Sequence, residues 1–305
     1  MDRLNYIFHQ FKSKLRPIHT FGGLILAVSF IWLFVFSFPD KNLHLVFCDV
    51  GQGDAILVSR GLTQVLIDGG PNEKVLGCLA RHLPFWDKKL ELVILTHPEF
   101  DHLTGLVAVV ENYQIEEVIA NSLISESGVF AKFREEVLGK KISVYSPKAG
   151  DRIRLSELEF DILWPKEKLG TELVWQRPES YQVLGVSAFG GNLNETGIVS
   201  LLKYGDFEAL LLADVGEEQE KEIKAGPVAV LKVGHHGSKY SSSAEFLAKV
   251  QPKIAVISVG ANNRYGHPTS EVLGRLRDLG VKILRTDIDG EVEIISDGKG
   301  WRVAD

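Results

Sequence analysis

Apolar and polar positions divide this chain into two patterns. From Phe21 to Phe38 it is uncharged and rich in Leu, Ile, Val, Phe and Trp, matching the ~18 residues a membrane-spanning helix requires. From Leu43 onward short apolar runs alternate with Gly-rich turns, and helical spacing is interleaved among them, which predicts an α/β domain. Strands are predicted at Leu43–Cys48, Ala55–Ser59, Gln64–Ile67, Leu92–Leu95, Glu117–Ala120, Val199–Tyr204, Ala209–Leu212, Val228–Lys232 and Ile254–Val259. Helices are predicted at Asn72–His82, Leu103–Glu111, Phe130–Val137, Glu217–Lys224, Ala244–Val250 and Ser270–Leu279. The stretch from Ser122 to Thr196 is poorly patterned, and its latter part, with Trp164, Pro165, Trp175, Pro178, Gly185, Gly190 and Gly191, reads as long loops of the kind that cover substrates or merely insert.

Charge orients the apolar run. Arg3, Lys12, Lys14 and Arg16 stand before it against Asp2, whereas Lys41 follows it in the company of Asp40, Asp49 and Asp54. The positive-inside rule therefore predicts a cytoplasmic segment at 1–20, an anchor at 21–38 and a folded domain at 43–305 outside the cell. A cleaved signal peptide is the rival reading, but Ser37-Phe38-Pro39 is no small-x-small cleavage site. Apolar residues at 45% and charged residues at 24% point to a real core, and a formal charge of -6 excludes a generally basic nucleic-acid binder. Polyanion binding then needs bound metal or a local basic patch. Cys48 and Cys78 lie in apolar surroundings at a spacing that matches no zinc site or disulfide framework, and read as core residues.

Gly51-Gln52-Gly53 follows a predicted strand, but Ile56 takes the place of the third glycine of a dinucleotide fingerprint, so no nucleotide cofactor is expected and a tight turn is. The segment Leu92 to His102 is more specific: a buried strand runs out into His97, Glu99, Asp101 and His102. In extended chain the first three project to one side, and His102 joins them where a helix begins. Two imidazoles and two carboxylates suit zinc, manganese or iron. Pro98 excludes the zinc-protease helix motif, which needs Glu directly after the first His. Two other strands end in Asp214 and in the pair His235-His236, and open α/β sheets place their sites at such edges.

At these residues the chain resembles the metallo-β-lactamase superfamily and, within it, the extracellular hydrolase-like domain of ComEC-type competence proteins. The resemblance runs from about Leu43 to Gly290, through Asp49 to Asp54, Leu66 to Gly70, Thr96 to His102, Asn194, Asp214, Leu231 to Ser238 with Ser241 to Ser243, Ser258 to Gly260, Tyr265 to Pro268 and Arg285 to Asp287. It implies a four-layer αββα sandwich with two divalent metal ions, zinc or manganese, at one edge. His97 and Glu99 would hold the first ion, Asp101, His102 and His236 the second, and Asp214 would bridge them. His235, Asn194 and Asp68 would be further ligands or supports behind them. Glu99 stands where the superfamily has His and ComEC-like domains have Asp, Asn194 falls where those domains carry Asn, and Gly197 replaces a Ser. The single span differs from the polytopic channel of ComEC, and no oligonucleotide-binding barrel fits in the first forty residues.

The expected activity is hydrolysis of a phosphodiester, most simply in extracellular DNA, with Asp101 or Asp214 orienting water and His267 donating a hydrogen bond to substrate or a proton to the leaving oxygen. His267 also reads as closing a turn before the helix at Ser270. Ser238, Lys239 and Arg264 are candidate substrate contacts, and Lys232 and Arg285 candidate phosphate ligands. Two other functions stay open: hydrolysis of another envelope phosphoester or a lactam-like ring, and a catalytically idle binding domain tethered to the membrane.

Overall fold

The computed structural model describes residues 17–170, 172–176 and 190–304. The chain divides into two units, Met1–Pro39 and Asp40–Asp305. The first contains helix α1 (Pro17–Phe36), which begins on a proline, whose fixed φ suits a first helical turn, and ends before Pro39. Phe21, Leu24, Ile25, Leu26, Phe30 and Leu33 are exposed along it. The side chains at 17–20, 31 and 34–36, and the predicted cytoplasmic segment at 1–16, lie outside the described residues. Among the described residues no helix is long and apolar enough to cross a membrane.

The second unit runs, in chain order, through β1 (Leu43–Phe47), β2 (Ile56–Arg60), β3 (Thr63–Ile67), α2 (Lys74–His82), β4 (Lys89–Leu95), α3 (Phe100–Asn112), β5 (Gln114–Ala120), α4 (Gly128–Gly139) and β6 (Ser143–Tyr145). It continues through β7 (Arg152–Leu155), β8 (Leu158–Trp164), β9 (Val199–Tyr204), β10 (Phe207–Leu211), α5 (Glu217–Glu220), β11 (Val230–Lys232), α6 (Ala244–Val250) and β12 (Ile254–Ile257). It closes with α7 (Ser270–Asp278), β13 (Lys282–Arg285), α8 (Thr286–Asp289), β14 (Val292–Ser296) and β15 (Trp301–Val303). An eight-stranded sheet has the order β15-β14-β1-β2-β3-β4-β5-β6, and a seven-stranded sheet the order β13-β12-β11-β10-β9-β8-β7.

Period-two alternation makes each sheet two-faced. Leu43, Leu45 and Phe47 of β1 join Leu158, Phe160 and Ile162 of β8 in a core between the sheets. Val46 and Leu57 point the other way, against Leu79 of α2, Leu103 and Leu106 of α3, and Phe133 of α4. Leu210, Leu231 and Ala255 of the second sheet likewise pack on Phe246 of α6 and Leu276 of α7. The result is the four-layer αββα sandwich.

Six strands, β6, β7, β8, β13, β14 and β15, lie where the apolar pattern assigns none, while 177–189 of the predicted loop falls outside the described residues. The cysteine reading needs correction. Cys48 and Cys78 are indeed buried, but they are joined by a disulfide that ties the end of β1 to α2 across a separation of 30 residues.

Candidate metal centre

The chain brings its chemistry to the carboxyl ends of strands. His97 follows β4, Glu99 precedes α3, and Asp101 and His102 occupy the first turn of α3. Asp214 follows β10 and His236 follows β11. The Gly51-Gln52-Gly53 turn supports this edge: Asp54 N donates to Asp101 O at 3.1 Å, and a Cβ on Gly53 would lie 2.1 Å from that oxygen. Only glycine permits the approach. Asp68, Ala213, His235 and His236 all adopt left-handed backbone, with φ of 58°, 48°, 47° and 52°. Such strain persists where surroundings over-determine it, and here His235 N donates to Ala213 O at 3.1 Å while Ser238 N donates to His235 O at 2.8 Å.

Asp101, His102, Asp214 and His236 each offer a ligand atom, all within 4.8 Å of one another. Asp214 Oδ2 lies 3.3 Å from His102 Nε2 and 3.1 Å from His236 Nε2, and the latter is 3.3 Å from Asp101 Oδ2. Both Nε2 atoms are buried without a hydrogen-bond partner of good geometry. Their Nδ1 atoms are engaged: His102 Nδ1 with Asp68 Oδ2 at 2.7 Å, and His236 Nδ1 with Ser258 O at 2.8 Å. Asp68 is itself fixed by Thr96, accepting from N at 2.8 Å and from Oγ1 at 2.6 Å. Holding Nδ1 as a donor turns Nε2 into the free acceptor, which is how ligating histidines are oriented. The donor set therefore fits a divalent cation.

Electrostatics agree. Burial alone would depress the His236 imidazole, but Asp214 and Asp101 push it up to about 10. Burial also opposes charge on His102, and Asp214 and Asp68 carry it well above its usual value. Asp214, against the pull of burial, is held well below the carboxylate range by His236, His102 and Lys232. The carboxylates thus favour positive charge at this position, which a bound cation would supply in place of protons.

His97 is buried with its ring centroid 4.1 Å from that of His102; burial and then the His102 charge keep it neutral, with its pKa well below normal. Burial, Asp101 and Asp214 raise the Glu99 carboxyl. With its amide nitrogen turned toward them, Asn194 lies 3.1 Å from His97 Nε2 and 3.2 and 3.1 Å from the Glu99 oxygens. Two groups of side chains thus lie side by side: Asp101, His102, Asp214 and His236 in one, and His97, Glu99 and Asn194 in the other.

The remaining predicted residues separate. His235 stays out of the four-ligand group, half-buried and near Asn194. His267 packs edge-on against His235 and parallel to Tyr265, and burial, His235 and His236 lower its pKa to about 4. Ser238 is buried in the turn after His236, and Lys239 lies over the Tyr240 ring instead of lining the cleft. Arg264 does line a cleft of about 590 Å³, together with Glu99 and Asp101. Arg285 is committed to Asp287 at 2.6 Å. Lys232 corrects the reading most: it is 0% exposed, contacts Asp54, and donates to Ala213 O at 2.8 Å, so it cannot reach a phosphate. Asp54, buried beneath the ligands, was visible only as the end of the glycine turn.

Comparison with known proteins agrees with this architecture. The chain is 30% identical to ComE operon protein 3 of Bacillus subtilis, over 92% of this chain and 36% of that protein. It is 29% identical to competence protein ComA of Neisseria gonorrhoeae, over 89% of this chain and 35% of that protein. It thus spans about a third of the length of these relatives. The metallo-beta-lactamase fold protein YhfI from Bacillus subtilis superposes with a TM-score of 0.51 at 9% identity, covering 82% of this chain and 99% of that one. The sequence profile of the metallo-beta-lactamase superfamily matches residues 48–261, and the chain belongs to that superfamily.

Proposed function

We propose that this chain is a membrane-anchored, metal-dependent phosphodiesterase acting on extracellular DNA. The observation that carries the reading is the convergence of the buried His102 and His236 Nε2 atoms on Asp214 Oδ2, at 3.3 and 3.1 Å, beside a cleft lined by Asp101. The proposed ligands are His97 and Glu99 for one divalent ion, Asp101, His102 and His236 for another, with Asp214 between them and zinc or manganese as the metal. Bound there, the ions would lower the pKa of water and offset charge on the attacked phosphoryl group. Asp101 accepts a hydrogen bond from the attacking water and aims it along the cleft. His267, neutral at physiological pH because its pKa is about 4, donates a hydrogen bond to substrate instead of delivering a proton.

The competence proteins among the relatives favour DNA as substrate. The anchor at 21–38, with 1–20 in the cytoplasm and 43–305 outside, is supported by the exposed apolar side chains of α1 and by the disulfide, since such bonds persist in oxidising compartments. One combined assay tests the function: metal content of the purified protein, with cleavage of DNA measured across added Mn²⁺ and Zn²⁺. Metal-dependent cleavage is expected. Bound metal without cleavage would point to another envelope substrate, and absence of metal binding would leave an idle binding domain.

A further inference from the structure

The cleft beside Asp101 carries two features that hydrolysis does not require. Phe100 and Tyr265 both line it and are each 61% exposed, so that two large rings open onto one cleft. Tyr265 stands on a rigid loop. Asn263 donates to Gly260 O at 2.9 Å and to His267 O at 2.7 Å, and accepts from Tyr265 N at 3.2 Å and from His267 N at 3.1 Å. The Tyr265 ring lies nearly parallel to His267, 6.0 Å between centroids and 25° between planes. Phe100 is fixed differently, as the first residue of α3 between Glu99 and Asp101. Both rings thus stand within a residue or two of the candidate metal-binding and substrate-contacting side chains.

The second feature is charge. Lys74 and Arg264 line the same cleft and form no ion pair among the described residues. In an acidic protein, two uncommitted cations beside open aromatic faces form the combination that binds single-stranded nucleic acid: rings stack on bases and cations follow phosphates. Duplex DNA hides its base faces, so the rings have nothing to stack on except at a frayed end.

Resting on the hydrolase reading above, we propose that Phe100 and Tyr265 are base-stacking residues for single-stranded DNA, with Lys74 and Arg264 on its phosphates, so that the cleft delivers an unpaired strand to Asp101. The test is fluorescence anisotropy on the full chain in detergent, held in EDTA so that nothing is cut. The probe is a single-stranded oligodeoxynucleotide of about 12 nucleotides, intact or fully abasic. Wild type should bind the intact strand about tenfold more tightly than the abasic one, and Phe100→Ala with Tyr265→Ala should erase that difference. Phe100→Tyr and Tyr265→Trp should keep it. Lys74→Gln with Arg264→Gln should weaken both strands alike and flatten the salt dependence. Wild type that ignores the bases, or an Ala pair that still prefers them, overturns the proposal. Cleavage in Mn²⁺ combined with base-indifferent binding removes the stacking clamp alone, whereas base-dependent binding without cleavage under any metal removes the hydrolase reading.

Discussion

Lys232 Nζ lies 3.4 Å from Asp214 Oδ1, and neither side chain is open to solvent beyond 3%. The same ammonium contacts Asp54, whose other oxygen has no partner. A fixed cation therefore sits directly beneath the ligand cluster and offsets carboxylate charge whether or not an ion is bound. Burial would favour a neutral amine, but Asp54 and Asp214 hold Lys232 charged.

Lys232→Met keeps most of the side-chain volume and removes this cation, leaving Asp54 and Asp214 buried without it. Breaking a buried pair in this way costs about 3–5 kcal/mol. The full loss is expected for protein in EDTA, and a smaller one with Mn²⁺, since a bound ion would compensate Asp214. Denaturation curves under the two conditions measure this; an equal loss in both would mean that Lys232 serves packing alone.

The disulfide makes a second prediction. Closing a loop of 30 residues stabilises by about 2–4 kcal/mol through the unfolded chain. Cys48→Ala with Cys78→Ala should lose that much, and wild type denatured with reductant should match the double variant. Coincident wild-type curves with and without reductant would show that the thiols are free in solution. A reporter fused at the carboxyl terminus should be active only outside the cytoplasm, in keeping with an oxidised pair.

What could be read from the sequence differs sharply among these features. His97, Asp214 and His236 stand directly beyond apolar strands, so their edge position was legible from local pattern alone. Lys232 was not, because Val230-Leu231-Lys232 looks like a strand running out to a surface cation, and its partner Asp54 is remote in the chain. The Cys48–Cys78 pairing depends on α2 folding back on β1, which no spacing rule encodes. In β8, Leu158, Phe160 and Ile162 do alternate with Glu159, Asp161 and Leu163, so the signal existed. Its charged outer face and the Trp-Pro that follows concealed it within a stretch read as irregular. Asn194 could be matched to a family position, but its place between His97 and Glu99 required the fold.

A pH-dependent element lies away from the metal centre. His44 Nδ1 is 2.6 Å from Glu293 and Nε2 is 2.9 Å from Asp40, with His82 3.8 Å from Glu293 and Glu291 bonded to Arg81 and His82 nearby. The Glu293 hydrogen bond, opposed by burial, raises His44 above 6.5; the His44 hydrogen bond, also opposed by burial, lowers Glu293 below 4.5. The histidine contribution is complete below 6.5 and fades as pH rises through its folded pKa. The glutamate contribution is present above 4.5 and fades as pH falls. Both act together between those values, and with partial exposure they amount to about 0.5–1 kcal/mol. His44→Gln should remove the decline in stability just above pH 6.5, and an unchanged urea midpoint profile would exclude this pair as its origin.

The last prediction weighs Asp214 against Glu99. Asp214 faces both imidazoles of the four-ligand group and is the proposed link between the two ions, so its loss removes the anion that would offset repulsion between cations. Asp214→Asn preserves shape and should fold, yet bind at most one equivalent of metal and lose nearly all cleavage. Glu99 belongs to the proposed first-ion group, lies beside Asn194, and is part-exposed at the start of α3. Glu99→Asp shortens the reach by one methylene and keeps the charge, so metal content and cleavage should change by less than about tenfold, or about 1.4 kcal/mol. Metal titration should therefore show two unequal steps in wild type, the tighter belonging to Asp101, His102 and His236, and only Asp214→Asn should abolish the weaker one outright. If Asp214→Asn retains both steps and wild-type turnover, Asp214 merely shapes the loop after β10, and the bridged two-ion arrangement is wrong.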